Sequence, residues 1–230
     1  MKKIGLTYLF LITAAASLLP ECSPAASRYY WEKRCRQLMA DRPAKVVIAY
    51  NFGELSYDMS LSSAQIKEKD IEKRPRSQYS NIMGLTLTNQ YHNYAVTDSG
   101  PIEMGDGYYC TIPLEVKIMT GYLDPIIYLA NSMEKGTCVF RKTVRHEQQH
   151  LDLAHIYLQR YVKELEKRVP LMIKETGPLL SLSPNPEKGL LQIYQEKLDV
   201  IFDFYFNEWR ENTRKMDSNE NYERESRLCR

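Results

Sequence analysis

The sequence has almost no net charge: 31 Lys and Arg against 29 Asp and Glu leave +2. That balance excludes the broad basic field of a general binder of nucleic acid or acidic membranes. Internal repeats and low-complexity stretches are absent, so a solenoid or a disordered tract is not indicated. Beyond residue 19 no apolar run approaches the length of a membrane span. Histidine is scarce at four residues, yet three of the four lie between Thr143 and His155. What is present is ordinary: 43% hydrophobic and 26% charged residues over 230 positions suit one core and leave little room for two full domains.

The N-terminus carries an address. Lys2 and Lys3 precede an apolar run from Ile4 to Leu19, and Pro20 and the small residues of "CSPAAS" follow. A basic start, an apolar middle and a small-residue exit read as a secretory signal peptide over residues 1–26, cleaved near Ala25 or Ala26. Anchoring through a lipid on Cys22 is the alternative, disfavoured by Pro20 and Glu21 in places where small residues are expected. Either way the mature chain is expected to be exported, periplasmic or secreted, without a transmembrane helix. Four cysteines then remain: Cys35, Cys110, Cys138 and Cys229. An even number in an oxidising compartment suggests disulfides. Cys110 and Cys138 are the expected pair, because both lie in the segment leading into the histidine-rich stretch. Four reduced, buried cysteines are the alternative.

Along the chain, "RYYWEKRCRQLMA" suits a short helix. "AKVVIAYNF", Ala44 to Phe52, is rich in β-branched and aromatic residues and predicts a strand; "ELSYDMSLS" is expected to pair with it as a hairpin across Asn51–Gly53. The mixed-charge stretch ending at Pro75 reads as a solvated loop. "NIMGLTLTNQYHNYAVT" gives one or two further strands, and Tyr108–Thr120 and Pro125–Ala130 two more. The period then changes. From Val139 to Val169 apolar residues recur at helical spacing (Val144, Leu151, Leu158, Tyr161, Val162, Leu165), with Pro170 as the stop. A second long helix follows from Leu190, with an apolar face of Leu191, Tyr194, Leu198, Ile201, Phe202, Tyr205 and Trp209. Strands first and helices later predict an α+β domain over residues 27–216, followed by a polar tail, 217–230.

"TVRHEQQHLDLAH" carries the chemistry. His146 and His150 are four apart, separated by only about 40° around a helix axis, so their imidazoles can converge on one ion. Glu147 points sideways from the pair, within reach of water beside that ion. In this His-Glu-x-x-His arrangement zinc makes water more acidic and the glutamate takes its proton. His155 falls about 180° from His146 and is not expected to ligate. His92 reads as a strand or loop residue. Catalytic zinc needs a third protein ligand; Glu208, Glu211, Asp217, Glu220 and Tyr222 all qualify chemically. Asp152 is a candidate to orient a ligating histidine from behind.

"RHEQQHLDLAHIYLQRYVKEL" resembles the active-site helix of a family of exported bacterial proteins described as predicted zinc-dependent proteases. His146, Glu147, Gln148, His150 and Asp152 match that family's pattern, with Leu151 and Leu153 in its apolar places. "GYLDPIIYLA" and Cys138 also stand where the family has comparable features. The resemblance covers roughly Tyr108 to Val169, with a fainter echo at the C-terminus. There "MDSNENY" matches the family's aspartate with Asp217, but Glu220 replaces a threonine and Tyr222 a histidine. The resemblance implies a zincin-like fold and a third ligand drawn from Tyr222 or Glu220. It implies a Zn2+-dependent peptidase acting on a peptide or protein substrate, and for Pro125–Ala130 an edge strand with which that substrate would pair, an ordinary core strand being the alternative. The alternative is a non-catalytic periplasmic or envelope binding protein on a degenerate version of the same scaffold.

Overall fold

The computed structural model of the chain describes residues 24–69 and 82–229. Most of the signal-peptide reading, Cys22 included, and much of the charged stretch ending at Pro75 lie outside them. The fold mixes helices and sheets, with both parallel and antiparallel strand pairing. In chain order the elements are α1 (Pro24–Asp41), β1 (Lys45–Asn51), β2 (Ser56–Asp58), α2 (Ser63–Lys69), β3 (Gly84–Asp98), β4 (Ile102–Gly105), β5 (Tyr108–Thr111), β6 (Pro113–Leu129), α3 (Cys138–Thr176), β7 (Leu179–Ser181), α4 (Leu190–Met216) and α5 (Asn219–Ser226), then a 3-10 turn at Arg227–Cys229. Among the described residues, no helix is long and apolar enough to cross a membrane.

The main sheet is organised by β6. The two strands expected at Tyr108–Thr120 and Pro125–Ala130 are divided elsewhere: β5 stops at Thr111 and β6 runs unbroken from Pro113 to Leu129. The whole length of β3 pairs antiparallel with it, from Gly84 opposite Leu129 to Asp98 opposite Pro113. β1 and β2 follow one another along the other side, both parallel to β6. The expected β1–β2 hairpin does not form. Asn51 Oδ1 accepts from Gly53 N at 2.9 Å, and Gly53, at φ 66°, packs against the backbone of Tyr122 and Asp124 so closely that a Cβ would sit 2.6 Å from Asp124 N. The chain steps along β6 instead of turning back. The segment Pro125–Leu129 is therefore central, flanked by β2 and β3, as the core-strand alternative has it and not the edge-strand one.

Alternation along β6 turns Val116, Ile118 and Tyr122 into the main core, against Ala154, Leu158, Tyr161, Val162 and Leu165 of α3 and Tyr194, Leu198 and Phe202 of α4. Each of the valine, leucine, isoleucine and phenylalanine side chains among these contributes about 1.5–3 kcal/mol by leaving water. The Tyr122 hydroxyl donates to the Ala154 carbonyl at 3.0 Å, which fixes α3 along the sheet. Thr137 caps α3, its side chain accepting from Phe140 N. Pro170 does not end α3. Its own position is exposed, while Val169, Met172 and Ile173 continue the buried stripe to Gly177. Burying Met172 and Ile173 offsets the roughly 3 kcal/mol that an interior proline costs. Leu191, expected on the apolar face of α4, is exposed, and Leu190 takes the buried place.

The second sheet, β4–β5–β7, packs on α1 through Cys35, Cys110 and Ile112. The disulfides are Cys35–Cys110 and Cys138–Cys229, which corrects the expected Cys110–Cys138 pair. The reason is extension. Between those two cysteines runs the 17-residue strand β6. At about 3.3 Å per residue it carries the chain roughly 50 Å. Nearness in sequence becomes distance in space. The pair of substitutions Cys35→Ser and Cys110→Ser reopens a loop of sequence separation 75. Chain entropy puts the expected loss at up to about 4 kcal/mol, read as a lowered urea midpoint.

Candidate metal centre

His146, Glu147 and His150 occupy the first half of α3 and are 4%, 5% and 8% exposed. The helix brings the two rings together as their spacing requires, with Nε2 to Nε2 at 3.2 Å. The third group comes from the C-cap of α4. Asp217 Oδ1 lies 3.2 Å from His146 Nε2 and 3.0 Å from His150 Nε2. Three lone-pair atoms thus converge on one point, and this trio can hold a metal ion. Metal–ligand bonds of about 2.0–2.1 Å meeting at tetrahedral angles place neighbouring ligand atoms about 3.3 Å apart. The observed separations fit that figure.

Of the two candidates expected as third ligand, one stands apart from the trio and the other beside it. Glu220 is exposed and lines a groove of about 870 Å³ between α3, the end of α4 and α5. Tyr222 is at the site but one step back: its hydroxyl is 3.0 Å from Asp217 Oδ1 and its ring lies over that of His146 at 5.1 Å. Glu208 and Glu211 are engaged by Arg160 and Lys215. Asp152 is exposed in the same groove and makes no hydrogen bond to either imidazole among the described residues. His155 packs on Phe52, and His92 lies over Phe202 with Asp199 3.8 Å away, so neither joins the trio.

Glu147 turns toward β3. Thr86 Oγ1 is 2.9 Å from both its Oε2 and its backbone oxygen, so one hydroxyl fixes side chain and helix together. Gly84 leaves the space: a Cβ there would meet Glu147 Oε1 and Thr143 Cγ2 at 2.7 Å. Sequence reasoning missed Thr86 and Gly84, because nothing in their neighbours in the chain announces contact with a helix some 60 residues later.

The residues read as a polar tail are ordered over the site. Ser218 caps α5, accepting from Asn221 N. On α5, Glu225 Oε2 lies 3.2 Å from His146 Nδ1. Cys229 then closes onto Cys138, the first residue of α3. An eight-residue polar helix is too short to persist alone. Its attachment at both ends keeps Asp217, Tyr222 and Glu225 in place.

Burial works against a charge on His146, but its hydrogen bond to Asp217 and the negative charges of Glu147, Glu225 and Asp217 outweigh it and raise the pKa above the usual histidine value. In the metal-free chain this stabilises the fold at low pH, and the contribution is lost as pH rises through the raised pKa. A ligating imidazole is neutral, so metal uptake must displace that proton.

No family model, no curated protein and no solved structure matches the chain.

Two outcomes are expected. Divalent-metal affinity falls as pH is lowered through the raised pKa of His146, with proton release detectable by an indicator dye on metal addition; a pH-independent affinity across the histidine range contradicts this. Metal affinity also drops markedly when Cys138 and Cys229 are both replaced by serine, and stays unchanged in the Cys35→Ser, Cys110→Ser chain, as followed by chelator competition.

Proposed function

We propose that this chain is an exported, zinc-dependent peptidase with a zincin-like metal helix. The observation that carries the reading is the convergence of His146 Nε2, His150 Nε2 and Asp217 Oδ1 at 3.0–3.2 Å beside the buried carboxylate of Glu147. Two nitrogens and one carboxylate oxygen are a donor set that zinc accepts while keeping a position open. Bound there, zinc supplies Lewis acidity toward a carbonyl oxygen and makes water acidic enough to attack near neutral pH. Glu147 takes the proton of the attacking water and returns it to the departing amine, which makes it base and then acid in one cycle. Thr86 holds the carboxylate in orientation on the β3 side. A rigid base in a dry setting needs little rearrangement as charge develops.

β3 supports an extended peptide as substrate. Its inner side pairs with β6, and among the described residues no strand pairs with its outer side. An unpaired edge offers alternating donors and acceptors to a peptide backbone. This edge, in place of the segment Pro125–Leu129, is the pairing site that the reading requires. Two disulfides fit an oxidising compartment and therefore export, periplasmic or secreted.

The test separates binding from chemistry. Glu147→Gln is expected to keep stoichiometric zinc and to lose about 10²–10⁴-fold of peptide hydrolysis. His146→Ala or Asp217→Asn is expected to lose both. Equal hydrolysis by wild type and a zinc-loaded Glu147→Gln chain would remove catalysis from the reading and leave a metal-binding envelope protein.

A further inference from the structure

The two histidines are not equivalent. Nε2 of each faces Asp217, but their Nδ1 atoms differ. Nδ1 of His146 lies 3.2 Å from Glu225 Oε2. Nδ1 of His150 is buried with no hydrogen-bond partner among the described residues. Only one of the rings is therefore held from behind.

The support behind His146 is itself built. Glu225 is largely buried, with 14% of its side chain exposed. Its other oxygen, Oε1, is 3.5 Å from Asn221 Nδ2, and that amide also donates to the Met216 carbonyl at 2.7 Å. Asn221 is in addition the residue whose backbone N–H is capped by Ser218, and its own side-chain oxygen accepts from Arg224. Met216 and Asp217 are consecutive, so the amide that steadies Glu225 also grips the chain where the carboxylate ligand departs.

We propose that Glu225 is a positioning residue for the metal centre: its carboxylate accepts the Nδ1 proton of His146, fixes that ring's tautomer and plane, and leaves the Nε2 lone pair directed at the point shared with His150 and Asp217. The chemistry is direct. A neutral imidazole carries one proton, and a carboxylate beside Nδ1 draws it there. The other nitrogen is then the Lewis base, and the negative partner makes it a stronger one. Asn221 extends the chain by one link, from the amide to the carboxylate to the ring. The α5 helix thus acts on both sides of His146, through Glu225 behind it and through the Asp217 it follows in front. This inference rests on the metal reading and adds a role for a residue outside the trio.

The experiment uses the full disulfide-bonded chain and the metal alone as probe. Zinc affinity is measured by chelator competition, and the absorption bands of bound cobalt report coordination. Nitrogen NMR of ring-labelled histidine in the zinc-loaded chain reports the Nδ1 proton of His146. Glu225→Ala is expected to weaken zinc affinity about 10- to 100-fold. Glu225→Gln, which keeps an acceptor but loses the charge, is expected to fall between it and wild type. The cobalt bands should persist in all three, since no ligand has been removed. The Nδ1–H resonance of His146 should be strongly downfield in wild type and move upfield in Glu225→Ala. Glu220→Ala, on the same helix and exposed, should match wild type throughout. A Glu225→Ala chain that binds zinc within about twofold of wild type with an unmoved Nδ1–H resonance overturns the inference while leaving the metal reading intact. Collapse of α5 in Glu225→Ala would instead abolish the cobalt bands, the result expected of Asp217→Asn; that outcome also overturns it, by making Glu225 a fold residue. A wild-type chain that takes up neither metal overturns the metal reading itself and this inference with it.

Discussion

Two imidazole nitrogens and a carboxylate oxygen meet within 3.2 Å of one another in a place almost closed to water. Such a meeting is expensive. Buried polar atoms need partners, and a carboxylate taken from water without compensation costs several kcal/mol. His146 retains a proton more readily than a free histidine does, because three carboxylates surround it. The same three atoms could hold a divalent cation instead. The remaining structure is arranged to keep these atoms together in either state.

Much of that arrangement comes from elements whose own chemistry is unremarked in the chain. β6 lines up the core face against which α3 is laid, and the Tyr122 hydroxyl fastens the helix at Ala154, one turn past His150. β3 fits against the other flank of α3 because Gly84 has no side chain to collide with Glu147. On α5, Asn221, Tyr222 and Glu225 are half-buried toward the site, while Asn219, Glu220, Glu223 and Arg224 are exposed. A segment with so little apolar surface cannot fasten itself by burial, and the Cys138–Cys229 bond supplies what hydrophobic packing does not.

Local patterns were legible wherever a single element decides the outcome. The i, i+4 spacing of His146 and His150 is a property of any helix, and the helical period around it is strong. The exclusion of His155 needed only the angle around the same axis. Patterns that depend on a partner read less well. β1 and β2 look like a hairpin because two strands near a glycine usually turn back, yet β6 offers both of them an edge in the same direction. Pro170 looks like a stop because proline costs a hydrogen bond, yet the stripe beyond it still has a core to cover. The Cys110–Cys138 expectation assumed that nearness along the chain survives folding, which a long intervening strand prevents.

The sequence by itself determined the order of strands before long helices, the pair of histidines on one helix face, and the glutamate between them. These follow from periodicity and from side-chain chemistry at fixed spacing. Only the tertiary structure decided that Asp217 completes the trio, that Tyr222 and Glu225 support it, and that Thr86 steadies Glu147. Those contacts join residues 61 to 79 positions apart. No local rule reaches across such a gap, because the distance between two side chains is then set by how the sheet, the helices and a disulfide close on one another.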